Sequence, residues 1–123
     1  MAEIVDSLAT FLPVDTSNVF VVGHSMGAGA AVGAASKTPE RLRAVAALGG
    51  GGAPSESCSV LPFFVAAGAS DFGLGMSKGL AGRLRELGCE HVDEKVYPAT
   101  EHLLVVQRAL PDVFAFFDAE LAH

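Results

Sequence analysis

The stretch from Asn18 to Ala35 constrains the fold of this chain more than any other part of the sequence. It begins with the apolar run Val-Phe-Val-Val, passes through Gly-His-Ser-Met-Gly and continues into a segment rich in alanine. A short apolar run with β-branched residues favours a buried strand, and alanine favours a helix. We therefore predict a strand over residues 18–22, a tight turn, and a helix from Met26 to about Lys37.

Ser25 lies at the apex of that turn, with Gly23 and Gly27 two residues away on either side. Both glycines are predicted to leave room where the strand backbone meets the helix. Such a turn can raise a hydroxyl above the carboxyl end of a strand, at the start of a helix. The pattern resembles the nucleophile elbow, Gly-x-Ser-x-Gly, of the α/β-hydrolase superfamily. The alternative is a Gly/Ser turn that carries no chemistry.

Composition and charge narrow the class of protein. The chain has 123 residues, of which half are hydrophobic and 18% are charged, so one domain over residues 1–123 with a single core is expected. The net charge of −6, without any basic stripe, argues against a nucleic-acid partner. The first six residues are acidic where a signal peptide is basic, and no apolar run is long enough to span a membrane. We therefore expect a cytoplasmic protein without a membrane partner.

The rest of the chain alternates between helical and strand-like patterns. An amphipathic helix that packs on a sheet is expected over residues 2–12, and a short helical turn is expected from Thr38 to Leu42. Further strands are predicted over residues 44–48, 61–67 and 91–97, and a further helix over residues 77–87. The apolar stripe over residues 103–121 is broken by Pro111. It predicts either one bent helix or a turn followed by a helix from Asp112.

This order predicts an α/β fold with a mostly parallel four-stranded sheet and helices on both faces. In such a sheet, functional residues are expected at the carboxyl ends of the strands. Asp71 follows the third predicted strand and His102 follows the fourth. Together with Ser25 they give the chain order of nucleophile, acid and histidine that α/β hydrolases use.

The chemistry needs these three residue types. A serine hydroxyl is a weak nucleophile until a base removes its proton, and His102 can be that base. A carboxylate on the other ring nitrogen fixes the tautomer and stabilises the imidazolium that forms during attack, which is the role predicted for Asp71.

Each partner has an alternative. Asp71 could instead cap the next helix, and Glu101 is a weaker candidate for the acid. His24 is expected to pack beside the elbow rather than to carry protons. His91 and His123 are expected to be solvated surface residues.

The resemblance to α/β hydrolases implies a serine-dependent hydrolase of carboxylic esters, close to lidless esterases and dienelactone hydrolases. It implies a small-molecule ester as substrate, with no cofactor and no metal. The usual core of the family has eight strands, and this chain matches the last four, so the domain is expected to be partial. The resemblance also leaves open thioesterase or peptidase activity, or a non-catalytic fragment that acts as a binding or self-associating module.

The partial fold has two expected consequences. The oxyanion hole of the family uses the backbone N–H of the residue after the nucleophile, here Met26, plus one from a loop after an early strand that this chain lacks. The early strands of the family fold would cover the open side of the first strand here. Without them Val19–Val22 would be an exposed apolar edge, so a homo-oligomer through this edge is possible.

Two further features are open in the sequence. Four glycines, Gly49–Gly52, follow the second predicted strand. They favour equally a backbone that passes close to the substrate or elbow and a flexible exit loop. Cys58 and Cys89 have no metal-ligand spacing and are expected to be free thiols.

Overall fold

The computed structural model describes residues 1–121, so His123 lies outside the described residues. This part of the chain forms one parallel sheet with the strand order β1-β2-β3-β4. The strands are β1 (Phe20–His24), β2 (Ala44–Leu48), β3 (Phe63–Gly68) and β4 (Val92–Tyr97). The helices are α1 (Ala2–Ala9), α2 (Met26–Lys37), α3 (Leu74–Glu86) and α4 (Val105–Ala119), with short 3-10 helices at Pro39–Arg41 and Glu56–Val60. The predicted fold class is confirmed.

The core lies on both faces of the sheet. Helices α2 and α3 cover one face and α4 covers the other. Side chains of the central strands alternate between the two: Val45 and Val65 pack with α2 and α3, whereas Ala46 and Phe64 pack with α4. Burial on both faces explains why β2 and β3 are continuously apolar instead of alternating with polar residues.

The element bounds differ from the predicted ones in informative places. Strand β1 begins at Phe20 and runs on through His24, because Gly23 and His24 pair in register with Ala47 and Leu48 of β2. Strand β1 therefore leads directly into the turn at Ser25.

Helix α4 is continuous through Pro111, so a single helix is observed and not a turn followed by a helix from Asp112.

The expectation that the first helix packs on the sheet is wrong. Helix α1 ends at Ala9 and contains no buried residue. Ile4 is 64% exposed and Phe11, just beyond the helix, is 70% exposed. A side-chain ion pair between Asp6 and Arg41 connects the helix to the rest of the chain. In the described residues the sheet ends at β1, and none of its strands lies under the apolar side of α1.

None of the helices in residues 1–121 combines the length and the apolar character that crossing a membrane requires. The cytoplasmic location stays a prediction.

The outer side of β1 is an open sheet edge, because β1 pairs only with β2 in the described part of the chain. Val21 packs against the core that α2 and α3 cover, whereas Val22 is 46% exposed. Unpaired backbone groups next to exposed apolar side chains favour pairing with another chain.

We expect the purified chain to associate through this edge, and Val22→Lys to weaken the association by placing a charge beside it. Light scattering over a concentration series measures the effect as a fall in mean mass. Val60→Lys is the matched control, since Val60 is 78% exposed and belongs to the 3-10 helix before β3 rather than to β1. A wild-type chain that stays monomeric at high concentration would contradict the expectation.

The two cysteines are buried free thiols, as expected. Cys58 is fully buried and Cys89 is 7% exposed. The Cys89 thiol lies 3.9 Å from the carbonyl oxygen of Cys58. Burial, with a smaller contribution from the neighbouring Cys58, raises the pKa of the Cys89 thiol to about 11. Because the thiolate is the reactive form, both burial and this pKa slow the reaction of Cys89.

We therefore expect both cysteines to react with a disulfide reagent at pH 8 many times more slowly in the folded chain than in guanidinium chloride. Absorbance of the released thiolate follows the reaction. Two rapidly reacting thiols in the native protein would contradict the packing of the core between the sheet and α2 and α3.

Candidate active site

The turn after β1 holds Ser25 in an unusual backbone conformation. Its φ is 61° and its ψ is −120°, and Ser25 is the N-cap of α2. A positive φ is costly for a residue with a side chain and persists only where the surroundings impose it. The Ser25 N–H donates to the carbonyl oxygen of Leu48 at 2.9 Å, which ties the turn to the end of β2.

Of the two glycines that flank the turn, Gly23 has the predicted role and Gly27 does not. A Cβ at Gly23 would lie 1.9 Å from the carbonyl oxygen of Gly27, so no side chain fits at Gly23. A Cβ at Gly27 would meet nothing within 4 Å, so the prediction that Gly27 leaves room by lacking a side chain is wrong. Gly50 also has a role at the turn that the motif did not predict, since a Cβ there would lie 2.4 Å from the Ser25 carbonyl oxygen.

The structure brings the three predicted site residues together. Ser25 Oγ lies 2.9 Å from His102 Nε2, and His102 Nδ1 lies 2.7 Å from Asp71 Oδ1. An ionised carboxylate only accepts hydrogen bonds, so Nδ1 carries the proton and donates to Asp71. In the neutral imidazole, Nε2 is then free to accept a proton from the Ser25 hydroxyl.

The Asp71 carboxylate contacts both the histidine and the turn before α3. Its side chain is fully buried, and Oδ1 also accepts the Gly73 N–H at 2.7 Å, two residues on. No side chain of the described residues caps α3, so the alternative in which Asp71 caps the helix is not what the structure has. The carboxylate of Glu101 accepts the Leu104 N–H at 3.0 Å instead, and Glu101 is exposed.

The segment that carries His102 crosses the carboxyl ends of three strands. A Cβ at Gly68, the last residue of β3, would lie 1.9 Å from the Thr100 carbonyl oxygen. Gly49, after β2, has a φ of 61°, and a Cβ there would lie 3.3 Å from His102 Nδ1. At the end of β1, His24 Nε2 donates to the His102 carbonyl oxygen at 2.8 Å. Close contact with these strand ends fixes the position of the histidine.

Two aromatic rings contact the imidazole of His102. The ring centroid of Phe72 lies 4.0 Å away and that of His24 lies 4.6 Å away. The Phe72 side chain is also 79% exposed, which is an unusually high exposure for a large apolar side chain. The contact of Phe72 was not predicted from the sequence, although an aromatic residue directly after the candidate acid is a signal for it. His24 packs beside the elbow, and His91 is exposed as expected.

The start of α2 presents a backbone donor beside Ser25. Within residues 1–121 the Met26 N–H donates no hydrogen bond. The Met26 side chain is 90% exposed. A free N–H at a helix N-terminus attracts negative charge. The described residues contain no cluster of three or more His, Cys, Asp or Glu side chains that could hold a metal ion.

A groove of about 590 Å³ opens beside Ser25. Its walls come from the start of α2, the loop after β2, and α3, and they include the glycines Gly50–Gly52. Of the two interpretations of the glycine run, the close approach to the elbow is the one that the structure supports. Gly50 and Gly51 are tightly packed against Ser25 and Met76, respectively.

This chain is similar to known proteins in its three-dimensional structure. No protein-family model matches the sequence, and no curated protein matches it. Among solved structures, a thermostable esterase has a TM-score of 0.82 at 20% identity, and the match covers 97% of this chain and 35% of that chain. SOBER1 from Arabidopsis thaliana has a TM-score of 0.77 at 21% identity, with 98% of this chain and 60% of that chain covered.

A third solved structure, the S-formylglutathione hydrolase from Agrobacterium tumefaciens, has a TM-score of 0.74 at 19% identity. The match covers 98% of this chain and 55% of that chain. The chain thus spans between about a third and three fifths of the length of these structures. At this level of identity the similarity shows the fold alone, an α/β-hydrolase-like fold that extends over nearly the whole chain.

Proposed function

We propose that this chain is a serine-dependent hydrolase of carboxylic esters that acts through an acyl-enzyme. The observation that carries the proposal is the hydrogen-bonded series from Ser25 through His102 to Asp71, built on a turn with positive φ. Three side chains from distant parts of the sequence meet at hydrogen-bonding distances in the orientation that the reaction needs. The esterase fold of the solved structures supports the same reaction class.

The first half of the reaction uses all three side chains. Ser25 Oγ attacks the ester carbonyl carbon as its proton moves to His102 Nε2, and the carbonyl oxygen becomes an oxyanion. Asp71 stabilises the resulting imidazolium through Nδ1. The tetrahedral intermediate then collapses: the bond from carbon to the alkoxy oxygen breaks, and the leaving alkoxide takes the proton from His102 Nε2. The acyl group remains on Ser25.

In the second half, water attacks the acyl-enzyme and gives its proton to His102. The bond from carbon to Ser25 Oγ breaks, Oγ regains a proton from His102, and the carboxylic acid leaves. The Met26 N–H is the donor available to the oxyanion in both halves. A second donor from a loop after an early strand is not supplied by the four strands described. Loss of one such donor typically lowers turnover about 100- to 1,000-fold, so slow turnover is expected.

A second candidate function is a self-associating or binding module without catalysis. The observations in its favour are the open edge of β1, where Val22 is exposed, and the exposed apolar residues of α1. Reaction of Ser25 with a covalent probe distinguishes the two, because only an activated serine reacts quickly.

We expect a small fluorophosphonate to label the chain once, at Ser25, and Ser25→Ala to abolish the labelling. Hydrolysis of p-nitrophenyl acetate should fall on the order of 1,000-fold or more in the same variant. Intact mass followed by peptide mapping locates the label. Ser70→Ala is the control, because Ser70 is exposed next to Asp71 and is not hydrogen-bonded to His102 through its side chain. Label on another residue, or none, would refute the role of Ser25.

Asp71→Asn should slow labelling on the order of 1,000- to 10,000-fold, because an amide at this position favours the wrong tautomer of His102. The fold should persist, since the amide oxygen can still accept the Gly73 N–H. The time course of labelling measures the rate, and circular dichroism shows whether the fold persists. Glu101→Gln is the matched control and should change labelling less than about threefold, because Glu101 contacts Leu104. If Glu101→Gln proved the more damaging change, the acid would be misassigned.

A further inference from the structure

The groove beside Ser25 points to the part of the substrate that it would hold. Its lining includes the side chains of Met26, Phe72, Met76 and Leu80, all apolar. Among the lining residues of the described chain, Ser25 alone has a polar side chain, and none is charged. A polar substituent in this groove would lose hydrogen bonds to water without gaining a side-chain partner, whereas an apolar group would gain from burial.

The position of His102 tells which side of the ester enters the groove. The leaving alkoxide must come within hydrogen-bonding reach of His102 Nε2 in order to take its proton. His102 is absent from the described residues that line the groove, which instead runs from Ser25 between Met26 and α3. The leaving group is therefore directed to the histidine side, and the groove is left for the acyl side.

The walls of the groove leave space because glycines form much of them. A Cβ at Gly79 in α3 would meet nothing within 4 Å, and one at Gly29 in α2 would meet only the Gly51 carbonyl oxygen, at 3.6 Å. Met26 and Met76 flank the space and are 90% and 56% exposed. Methionine side chains are flexible and adapt to ligands of different shapes. The groove can thus accommodate an extended chain rather than one rigid group.

We propose that this site selects esters with an extended apolar acyl group, well beyond acetyl, and that Gly79 keeps the acyl groove open. The proposal rests on the proposed function, since the groove matters only if Ser25 is acylated.

The test uses P-alkyl fluorophosphonates of increasing length, with methyl, butyl and octyl groups as mimics of the acyl side. In each reaction the Ser25 Oγ–P bond forms, the P–F bond breaks, fluoride leaves, and the serine proton passes to His102. The second-order rate constant for labelling of the full chain is measured by intact mass. In the wild type it should rise roughly fourfold for each methylene that the groove buries.

Gly79→Leu places a side chain in the groove and should remove this dependence. The readout is the ratio of the octyl to the methyl rate constant, which should lose most of its wild-type value. Gly82→Leu is the matched control: it is the same change in the same helix, a Cβ there also meets nothing within 4 Å, and Gly82 does not line the groove. Both changes replace glycine by a better helix former, so α3 should persist.

Met76→Ala provides a second variant that fills no space. It removes an exposed apolar wall and should reduce the ratio of the octyl to the methyl rate constant severalfold.

The outcomes separate the two proposals. If the methyl probe fails to label Ser25, the proposed function fails. If all three probes label Ser25 at the same rate, the function stands and the acyl groove is overturned. If the octyl advantage survives in both Gly79→Leu and Met76→Ala, the chain binds elsewhere and the groove is likewise overturned.

Discussion

The absence of a side chain at Gly23 is the constraint on which the site depends. The backbone at Gly23 approaches the Gly27 carbonyl so closely that a Cβ there would lie 1.9 Å from the oxygen. This approach turns the chain from β1 into α2 within a few residues and holds Ser25 at positive φ. A methyl group at position 23 would separate strand from helix, and Ser25 Oγ would lose its 2.9 Å contact with His102. The hydroxyl is therefore placed by backbone packing.

The parallel sheet adds the second requirement, which is a common edge for residues far apart in sequence. Because the strands are parallel, their carboxyl ends lie at the same edge of the sheet. The segments after β1, β3 and β4 place Ser25, Asp71 and His102 at that edge. The glycine run after β2 supplies no reactive group and instead lets the neighbouring segments approach. A Cβ at Gly49 would lie 2.9 Å from Asp71 Oδ2, and one at Gly50 would lie 2.4 Å from the Ser25 carbonyl oxygen.

Sequence reasoning predicted the elements with strong local signals and the residues with distinctive chemistry. The bounds of α2 and β2 were predicted as observed, because alanine-rich and fully apolar runs have few alternative structures. It failed where long-range packing decides. The apolar spacing of α1 predicts a buried face, but burial depends on a neighbouring strand that the pattern does not reveal. The contacts of Gly50 and Phe72 likewise depend on which segments the fold brings together. Gly27 was predicted to leave room by lacking a side chain, but what matters there is its carbonyl oxygen, which lies against the backbone of Gly23.

The path of the histidine segment across the strand ends has a consequence for the kinetics of folding. Ser25 and His102 are 77 residues apart and follow the two outermost strands, so the segment after β4 must cross the strand ends to bring His102 to Ser25. Each crossing point, at Gly68, Gly49 and His24, exists only after the corresponding strand is aligned. Contacts of such high sequence separation close large loops and form late. Reactivity at Ser25 would then appear with the last strand to join, and it would report completion of the sheet, which a far-ultraviolet signal from the helices alone cannot do.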